Sequence, residues 1–181
     1  METIAGAYAQ PGCFLCFSHG DPAPSNNHIS NGQVRLLDFE YVESCHALYD
    51  LSAWNVLCSL SMSCVQEMER CFRREVTKAC SSACDEPEYR QAWAMMCAFR
   101  ALTIVSRIGP EVPAENRPCV DADWTARHAV LAAVGMMLSA ASGIPQLTPM
   151  TEAAYELRKT LRQRWPVIVA EAETAPPVVG L

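Results

Sequence analysis

The sequence predicts a mainly α-helical fold with a short β-hairpin near its N-terminus. The dipeptide Asn31-Gly32 separates two short extended segments, and it suits a type I′ turn because both positions of that turn need positive φ. After about residue 46, apolar side chains recur at steps of three, which is a helical period. The segments 88–108 and 121–142 are apolar almost all round, which is typical of central helices.

Composition narrows the classes of protein to consider. Half of the 181 residues are apolar and 19% are charged, so the chain is not of the disordered kind. A formal charge of −6 lacks the basic footprint of a nucleic-acid-binding protein. The N-terminus does not resemble a secretory signal, and the longest apolar run is too short to cross a bilayer. We therefore expect a cytoplasmic protein with no nucleic-acid or membrane partner.

The first 40 residues contain extended segments joined by a polar loop. Residues 13–17 are apolar and aromatic and have the length of a strand. Residues 18–27 hold two prolines, a glycine and small polar side chains, which indicates a loop. Residues 33–39 return as the second strand of the hairpin, so we expect Asp38 at the end of that strand.

Helices are expected throughout the remainder of the chain. Acidic residues and a proline at 85–87 mark the start of the long central helix. The prolines between 109 and 118 indicate a loop, and residues 173–181 form an expected disordered tail. One domain then covers 1–172, with loop and hairpin in 13–40 and helices in 47–172. The expected helices span 47–58, 64–80, 88–108, 121–142 and 148–165.

The strongest candidate site lies in the polar loop and at the end of the hairpin. Asp21 is followed after four residues by Asn26, and Asp38 comes twelve residues later. Phosphoryl transfer needs a carboxylate that orients and deprotonates a hydroxyl, and oxygen ligands that hold Mg²⁺ on the phosphates. The three residues can supply one base and two magnesium ligands.

This stretch resembles the catalytic motifs of the aminoglycoside phosphotransferase and choline kinase family. Protein kinases carry His-Arg-Asp, four residues and Asn, and then Asp-Phe-Gly. Here His19-Gly20-Asp21 and Asp38-Phe39-Glu40 are similar to the small-molecule branch, in which glycine replaces the arginine and another residue replaces the last glycine. The resemblance covers 19–51, and it implies the C-terminal lobe of a protein-kinase-like fold.

The resemblance also implies a role for each matched residue. Asp21 would be the catalytic base, and Asn26 and Asp38 would hold Mg²⁺. His19 would brace the loop, and Asp50 would help to hold it in place. ATP would donate its γ-phosphate to the hydroxyl of a small-molecule substrate.

Residues that hold the nucleotide in such kinases are not apparent ahead of the motif. A Gly-rich loop and a strand lysine precede the catalytic loop in kinases, whereas the 18 residues before His19 contain no lysine. We therefore expect a C-terminal lobe without its N-terminal nucleotide lobe, inactive or weak alone. The face that the missing lobe would cover is then available for association.

Two alternatives remain open. One is a non-catalytic binding or regulatory remnant of such a kinase. The other is a zinc or redox protein, since the ten cysteines include Cys13 and Cys16 in a CxxC and Cys80 and Cys84 in a CxxxC. The first pair falls in an expected strand, where alternate side chains point to opposite faces. We therefore interpret the cysteines mainly as free thiols packed in the core.

Overall fold

A computed structural model of the protein describes residues 2–57, 60, 62–108 and 125–166. The fold is mainly helical, and two small antiparallel sheets lie near the N-terminus, which confirms this part of the expected fold class. The helices are α1 (Glu2–Ala9), α2 (Leu48–Leu57), α3 (Met62–Val76), α4 (Glu86–Ile108), α5 (Ala126–Ala140) and α6 (Thr148–Arg164). The strands are β1 (Leu15–Ser18), β2 (Asn27–Ser30), β3 (Gln33–Leu36) and β4 (Glu43–His46).

The expected hairpin is the sheet formed by β2 and β3. Asn31 and Gly32 connect the two strands with φ values of 53° and 71°, as a type I′ turn requires. The prediction that Asp38 ends the second strand is wrong, because β3 ends at Leu36. Asp38 has a φ of 59°, a left-handed conformation that breaks the extended chain, and the 3-10 turn Phe39–Tyr41 follows it.

The other sheet pairs β1 with β4, and sequence reasoning did not foresee it. Ser18 lies opposite Glu43, so this ladder closes the base of the segment that carries the loop and the hairpin. The predicted strand at 13–17 is wrong in its first half. Gly12, with a φ of 57°, begins the 3-10 turn Gly12–Phe14, and the strand starts only after that turn.

The helical core is built around α4. This helix packs against α1, α2 and α5, and α6 packs on the outer side of α5. Helix α4 begins at Glu86, within the segment 85–87 expected to mark its start, and Asp85 caps it because its Oδ1 accepts a hydrogen bond from the backbone N–H of Glu88 at 2.9 Å. The fully buried side chains of α4 confirm its central position; they include Tyr89, Ala94, Met96, Cys97 and Ala98.

Helix α3 ends four residues earlier than the sequence predicts. It stops at Val76, and Cys80 is extended with φ of −128° and ψ of 107°. The 3-10 turn Ser81–Ala83 then leads into α4. This connection brings Cys80 back towards the N-terminal segment.

Some predictions fall outside the described residues. These are the loop at 109–118, the start of the helix expected at 121–142, and the tail at 173–181. Within the described ranges, no helix combines the length and the apolar character needed to span a membrane.

Candidate functional site

The loop between β1 and β2 places Asp21 and Asn26 in direct contact. The side-chain Nδ2 of Asn26 donates to the backbone carbonyl of Asp21 at 3.0 Å and to its Oδ2 at 3.2 Å. The other side-chain atom, Oδ1, lies 3.4 Å from the Ser25 hydroxyl, which is a long contact. Because Nδ2 is engaged with Asp21, Oδ1, which accepts only this long contact from Ser25, is the atom that Asn26 could offer to a metal.

Local hydrogen bonds explain why the loop adopts this shape. Pro24 opens the 3-10 turn Pro24–Asn26, and the N–H of Asn26 donates to the carbonyl of Ala23 at 2.8 Å. The Asn27 side chain donates to the carbonyls of Ala23 at 2.7 Å and Pro22 at 3.3 Å. Two successive asparagines therefore replace regular backbone pairing and fix the turn.

The backbone immediately before Asp38 is bound to this loop on both sides. The N–H of Leu37 donates to the carbonyl of Asn26 at 2.8 Å. The carbonyl of Leu37 lies 2.8 Å from Nε2 of His19, and a carbonyl only accepts, so Nε2 donates. Asp38 itself is exposed. Its position is therefore set by the segments that carry Asp21 and Asn26.

The turn after Asp38 also lies against the loop, at Gly20. A Cβ on Gly20 would lie 2.2 Å from the carbonyl oxygen of Tyr41, and Gly20 has a φ of 82°. Both facts require glycine at this position. They exclude a side chain at the position before Asp21, and they bring the turn at 39–41 next to that residue.

Asp50, in the first turn of α2, binds the start of the loop with both carboxylate oxygens. Its Oδ2 accepts from the Ser18 hydroxyl at 2.6 Å and from the N–H of His19 at 2.8 Å, and its Oδ1 accepts from the N–H of Gly20 at 3.1 Å. A carboxylate is also stabilised at the N-terminal end of a helix. Asp50 thus joins the helical core to the three residues that precede Asp21.

His19 lies inside the fold and connects the loop to the turn after Asp38. Its ring is 7% exposed, and its centroid lies 4.8 Å from that of Phe39. Nε2 is bound to Leu37, and Nδ1 has no hydrogen-bond partner. The contacts of His19 are therefore those of a packing residue.

Arg100 is a residue of this region that sequence reasoning missed. It is 7% exposed, its Nη2 donates to the carbonyl of Tyr49 at 3.1 Å, and its guanidinium carbon lies 4.0 Å from the centre of the Tyr49 ring. Burial lowers the pKa of Arg100, and the negative charges of Asp50 and Asp21 oppose that change. The available signal was an arginine that directly follows the uncharged stretch 93–99 of a central helix.

The oxygen atoms of this site suit a hard cation. Asn26 offers an amide oxygen, Asp38 offers an exposed carboxylate, and Mg²⁺ binds few protein oxygens while keeping several waters. In the described part of the chain, no group of three or more His, Cys, Asp or Glu side chains is placed to hold a metal. A metal here would therefore depend on Asn26, Asp38, water and ligand oxygens.

The cysteines of the zinc hypothesis are divided between different elements. Cys13 lies in the 3-10 turn before β1, and Cys16 lies within β1, opposite Cys45. Cys80 is buried and approaches Cys13, whereas Cys84 is exposed. One cysteine of the CxxC, Cys13, is thus in contact with one cysteine of the CxxxC, Cys80.

Exposed apolar side chains are concentrated in residues 15–41, the same segment of the chain that carries the candidate site. We call this group of side chains the N-terminal apolar surface, and its most exposed member is Phe17, with 75% of its area accessible. Ile29 and Val34 face each other across the hairpin. Exposed apolar side chains in such number mark interaction surfaces. The surface comprises Leu15, Phe17, Ile29, Val34, Leu36, Leu37, Phe39 and Tyr41.

The arrangement can perform two kinds of chemistry. The carboxylate of Asp21, oriented by Asn26, can accept a proton from a hydroxyl. Asn26 offers an amide oxygen next to that carboxylate and Asp38 offers an exposed carboxylate, and both are oxygens of the kind that Mg²⁺ binds. Comparison with known proteins adds no assignment, since no family model and no curated protein matches this chain.

Proposed function

We propose that this chain is the C-terminal lobe of a kinase-like phosphotransferase that moves the γ-phosphate of ATP to a hydroxyl group of a small molecule. The observation that carries the proposal is the double hydrogen bond from Asn26 to Asp21. The two backbone hydrogen bonds of Leu37, from its N–H to Asn26 and from His19 to its carbonyl, support the proposal because they fix the backbone that leads into Asp38. A base and two oxygen ligands with this spacing suit phosphoryl transfer.

Each residue has a separate role in the proposed reaction. Asp21 orients the substrate hydroxyl and accepts its proton at a carboxylate oxygen, while the amide of Asn26 keeps that carboxylate in place. Asn26 Oδ1 and the Asp38 carboxylate hold Mg²⁺, which supplies charge neutralisation on the phosphate oxygens when bound. Positioning of this kind supplies most of the catalysis in phosphoryl transfer.

His19 and Asp50 position the loop in this proposal and do not contact substrate. Asp50 fixes the backbone at residues 19 and 20, and His19 fixes Leu37. A shift of about 1 Å at a catalytic group costs on the order of 100-fold in rate. We therefore expect that loss of either residue lowers turnover, although neither residue takes part directly in the chemistry.

Metal binding by the purified chain tests the ligand assignment directly. Mn²⁺ is titrated as a paramagnetic probe, and the relaxation of water protons reports its binding. We expect Asp38→Asn to weaken binding by about tenfold or more, since loss of a supporting residue alone costs 10–100-fold at metal sites. Glu40→Gln is the matched control, because it removes the same charge from an exposed residue two positions away. Equal loss in both variants would contradict the assignment.

Phosphate transfer tests the base. The chain is incubated in excess over γ-labelled ATP with Mg²⁺ and a panel of alcohols that includes aminoglycosides, choline, ethanolamine, homoserine and sugars. No residue of this sequence is assigned to nucleotide binding, so we expect low turnover. The amount of labelled product is therefore the quantity measured. Asp21→Asn should remove that product and leave the helical circular dichroism spectrum unchanged. Label transfer by Asp21→Asn at the wild-type level would remove Asp21 as base.

A second candidate function, a non-catalytic binding module derived from such a kinase, is favoured by the N-terminal apolar surface. In the proposed lobe this surface is the one that the N-terminal lobe would cover, so it is available to a partner. Sedimentation experiments on the wild-type chain and on the Phe17→Glu variant compare how strongly each of them associates. This candidate predicts that Phe17→Glu reduces association and that Asp21→Asn has no functional consequence.

A further inference from the structure

Cys13 and Cys80 approach each other although they are 67 positions apart in sequence. The Cys80 thiol donates to the sulfur of Cys13 with a distance of 2.9 Å between the two Sγ atoms. The 3-10 turns Gly12–Phe14 and Ser81–Ala83 pack against each other and hold the two residues together. Both cysteines are free thiols. A disulfide bond is about 2.0 Å long, so closing it needs a movement of about 0.9 Å.

The surroundings of the two thiols differ. Cys13 is exposed, whereas Cys80 is 3% exposed. Hydrogen bonds from Cys80 and Ser82 lower the pKa of the Cys13 thiol, and burial raises the pKa of Cys80. The accessible sulfur therefore has the greater thiolate character, and thiolates are the attacking species in disulfide exchange.

We propose that Cys13 and Cys80 form a modification site for thiol–disulfide exchange, in which a low-molecular-weight disulfide such as oxidised glutathione reacts at Cys13 and Cys80 resolves the adduct. In the first step the Cys13 thiolate attacks one sulfur of the oxidant. The S–S bond of the oxidant breaks, a mixed disulfide forms on Cys13, and one thiolate leaves.

The second step is intramolecular. The Cys80 thiol loses its proton to solvent, and its sulfur attacks Sγ of Cys13. The mixed disulfide breaks as the Cys13–Cys80 bond forms, and the second thiolate leaves. The two cysteines lose two electrons in total, and the oxidant gains them as it becomes two thiols. The product joins the turn before β1 to the connection between α3 and α4.

Cys16 and Cys45 form an internal comparison. They lie directly opposite each other in the β1–β4 ladder. Burial raises the pKa of both thiols, so neither is the better attacking group. We therefore expect this pair to stay reduced under conditions that oxidise Cys13 and Cys80.

The test is equilibration of the purified, fully reduced chain in a series of glutathione buffers, followed by alkylation and mass spectrometry. We expect the loss of two alkylatable thiols together and a cross-linked peptide that contains Cys13 and Cys80. Thermal unfolding of the oxidised chain should shift upward by about 10 °C, because the bond closes a long loop in the unfolded state.

Three variants separate the steps. Cys80→Ser should stop at the mixed disulfide, so that Cys13 gains the mass of one glutathione. Cys13→Ser, at an exposed residue, should form neither product. Cys84→Ser, at an exposed cysteine four positions from Cys80, should retain the cross-link. A Cys16–Cys45 cross-link in place of Cys13–Cys80, or adducts spread equally over the exposed cysteines, would overturn the proposal.

Discussion

The side-chain amide of Asn26 binds Asp21 at two points, its backbone carbonyl and its carboxylate. One bond fixes the path of the loop, and the other fixes the direction of the carboxylate. Asn26 therefore connects the geometry of the proposed base to that of the proposed metal site, since its remaining oxygen is the proposed ligand. Changes at Asn26 are expected to affect both functions at once.

Substitution of Asn26 tests this connection. Asn26→Ala should lower the free energy of unfolding by about 1–2 kcal/mol, because two hydrogen bonds are lost. Asn27→Ala is the matched control, since Asn27 also makes two hydrogen bonds in the same loop, but to the carbonyls of Pro22 and Ala23. Urea unfolding should show similar losses for both variants. Mn²⁺ affinity should fall only for Asn26→Ala, and an equal fall in both would separate Asn26 from the metal.

Gly20 should be the least replaceable glycine of the site. Gly20→Ala is expected to destabilise the protein by about 3 kcal/mol, because a Cβ there meets the Tyr41 carbonyl and φ is positive. Gly143→Ala provides the comparison, since Gly143 has a similar φ of 78° and open space around it. Its cost should be about 1 kcal/mol. Urea midpoints measure both, and equal costs would show that the contact with Tyr41 carries no weight.

Asp50 is expected to contribute more to stability than its partial exposure indicates. Asp50→Ala removes the acceptor of three hydrogen bonds from residues 18–20, and it also removes one of the two carboxylates, Asp50 and Asp21, whose charges favour the charged form of buried Arg100. The expected loss is about 3 kcal/mol. Ser18→Ala removes only one of these bonds and should cost about 1 kcal/mol. Chemical denaturation of the two variants would contradict this prediction if their losses were equal.

His46 should make stability fall in mild acid. Its ring is buried and stacked on Phe14, its Nδ1 accepts from the N–H of Leu48, and burial lowers its pKa to about 4. The unfolded chain takes up the proton near pH 6.5, before the folded protein does, so stability is full above that pH and declines as pH falls towards 4. The loss from this group between pH 7 and pH 5 is about 2 kcal/mol.

The measurement is urea unfolding across that pH range for wild type and His46→Gln. The variant should be less stable at pH 7, and it should lose about 2 kcal/mol less than wild type by pH 5. His28→Gln, the same change at an exposed histidine, should follow the wild-type curve. A His46→Gln curve parallel to that of wild type would show that His46 does not govern this decline.

The parts of the fold that sequence predicted depend on local requirements. Asn31-Gly32 predicts its hairpin because positive φ at two neighbouring positions is a property of those residues alone. Asp85 predicts the start of α4 because its carboxylate bonds to a backbone N–H three residues later. The helical pattern of apolar residues is also a local property of the sequence, and it located the central helix.

The parts that sequence did not predict depend on contacts between distant segments. Strand β4 has four residues and no clear alternation, and it exists because β1 lies beside it. Asp38 departs from the strand because Leu37 is bound by both Asn26 and His19. Arg100 joins the site only through the packing of α4 on α2. Residue types and spacing identified the candidate site, whereas its supporting contacts needed the three-dimensional structure.

Because Ser18 pairs with Glu43, the two ends of the segment that carries the candidate site lie next to each other, beside the helices. Strand β1 leads from the helical part of the fold into this segment, and β4 leads back to it. The segment between the two strands is therefore a loop closed at its base by the β1–β4 ladder. Such a segment can open as one cooperative unit while the helices stay folded. Amide hydrogen exchange within 19–42 is then expected to follow a common opening free energy, lower than that of α4. The site would thus respond to a bound ligand as a whole, through the population of one local open state.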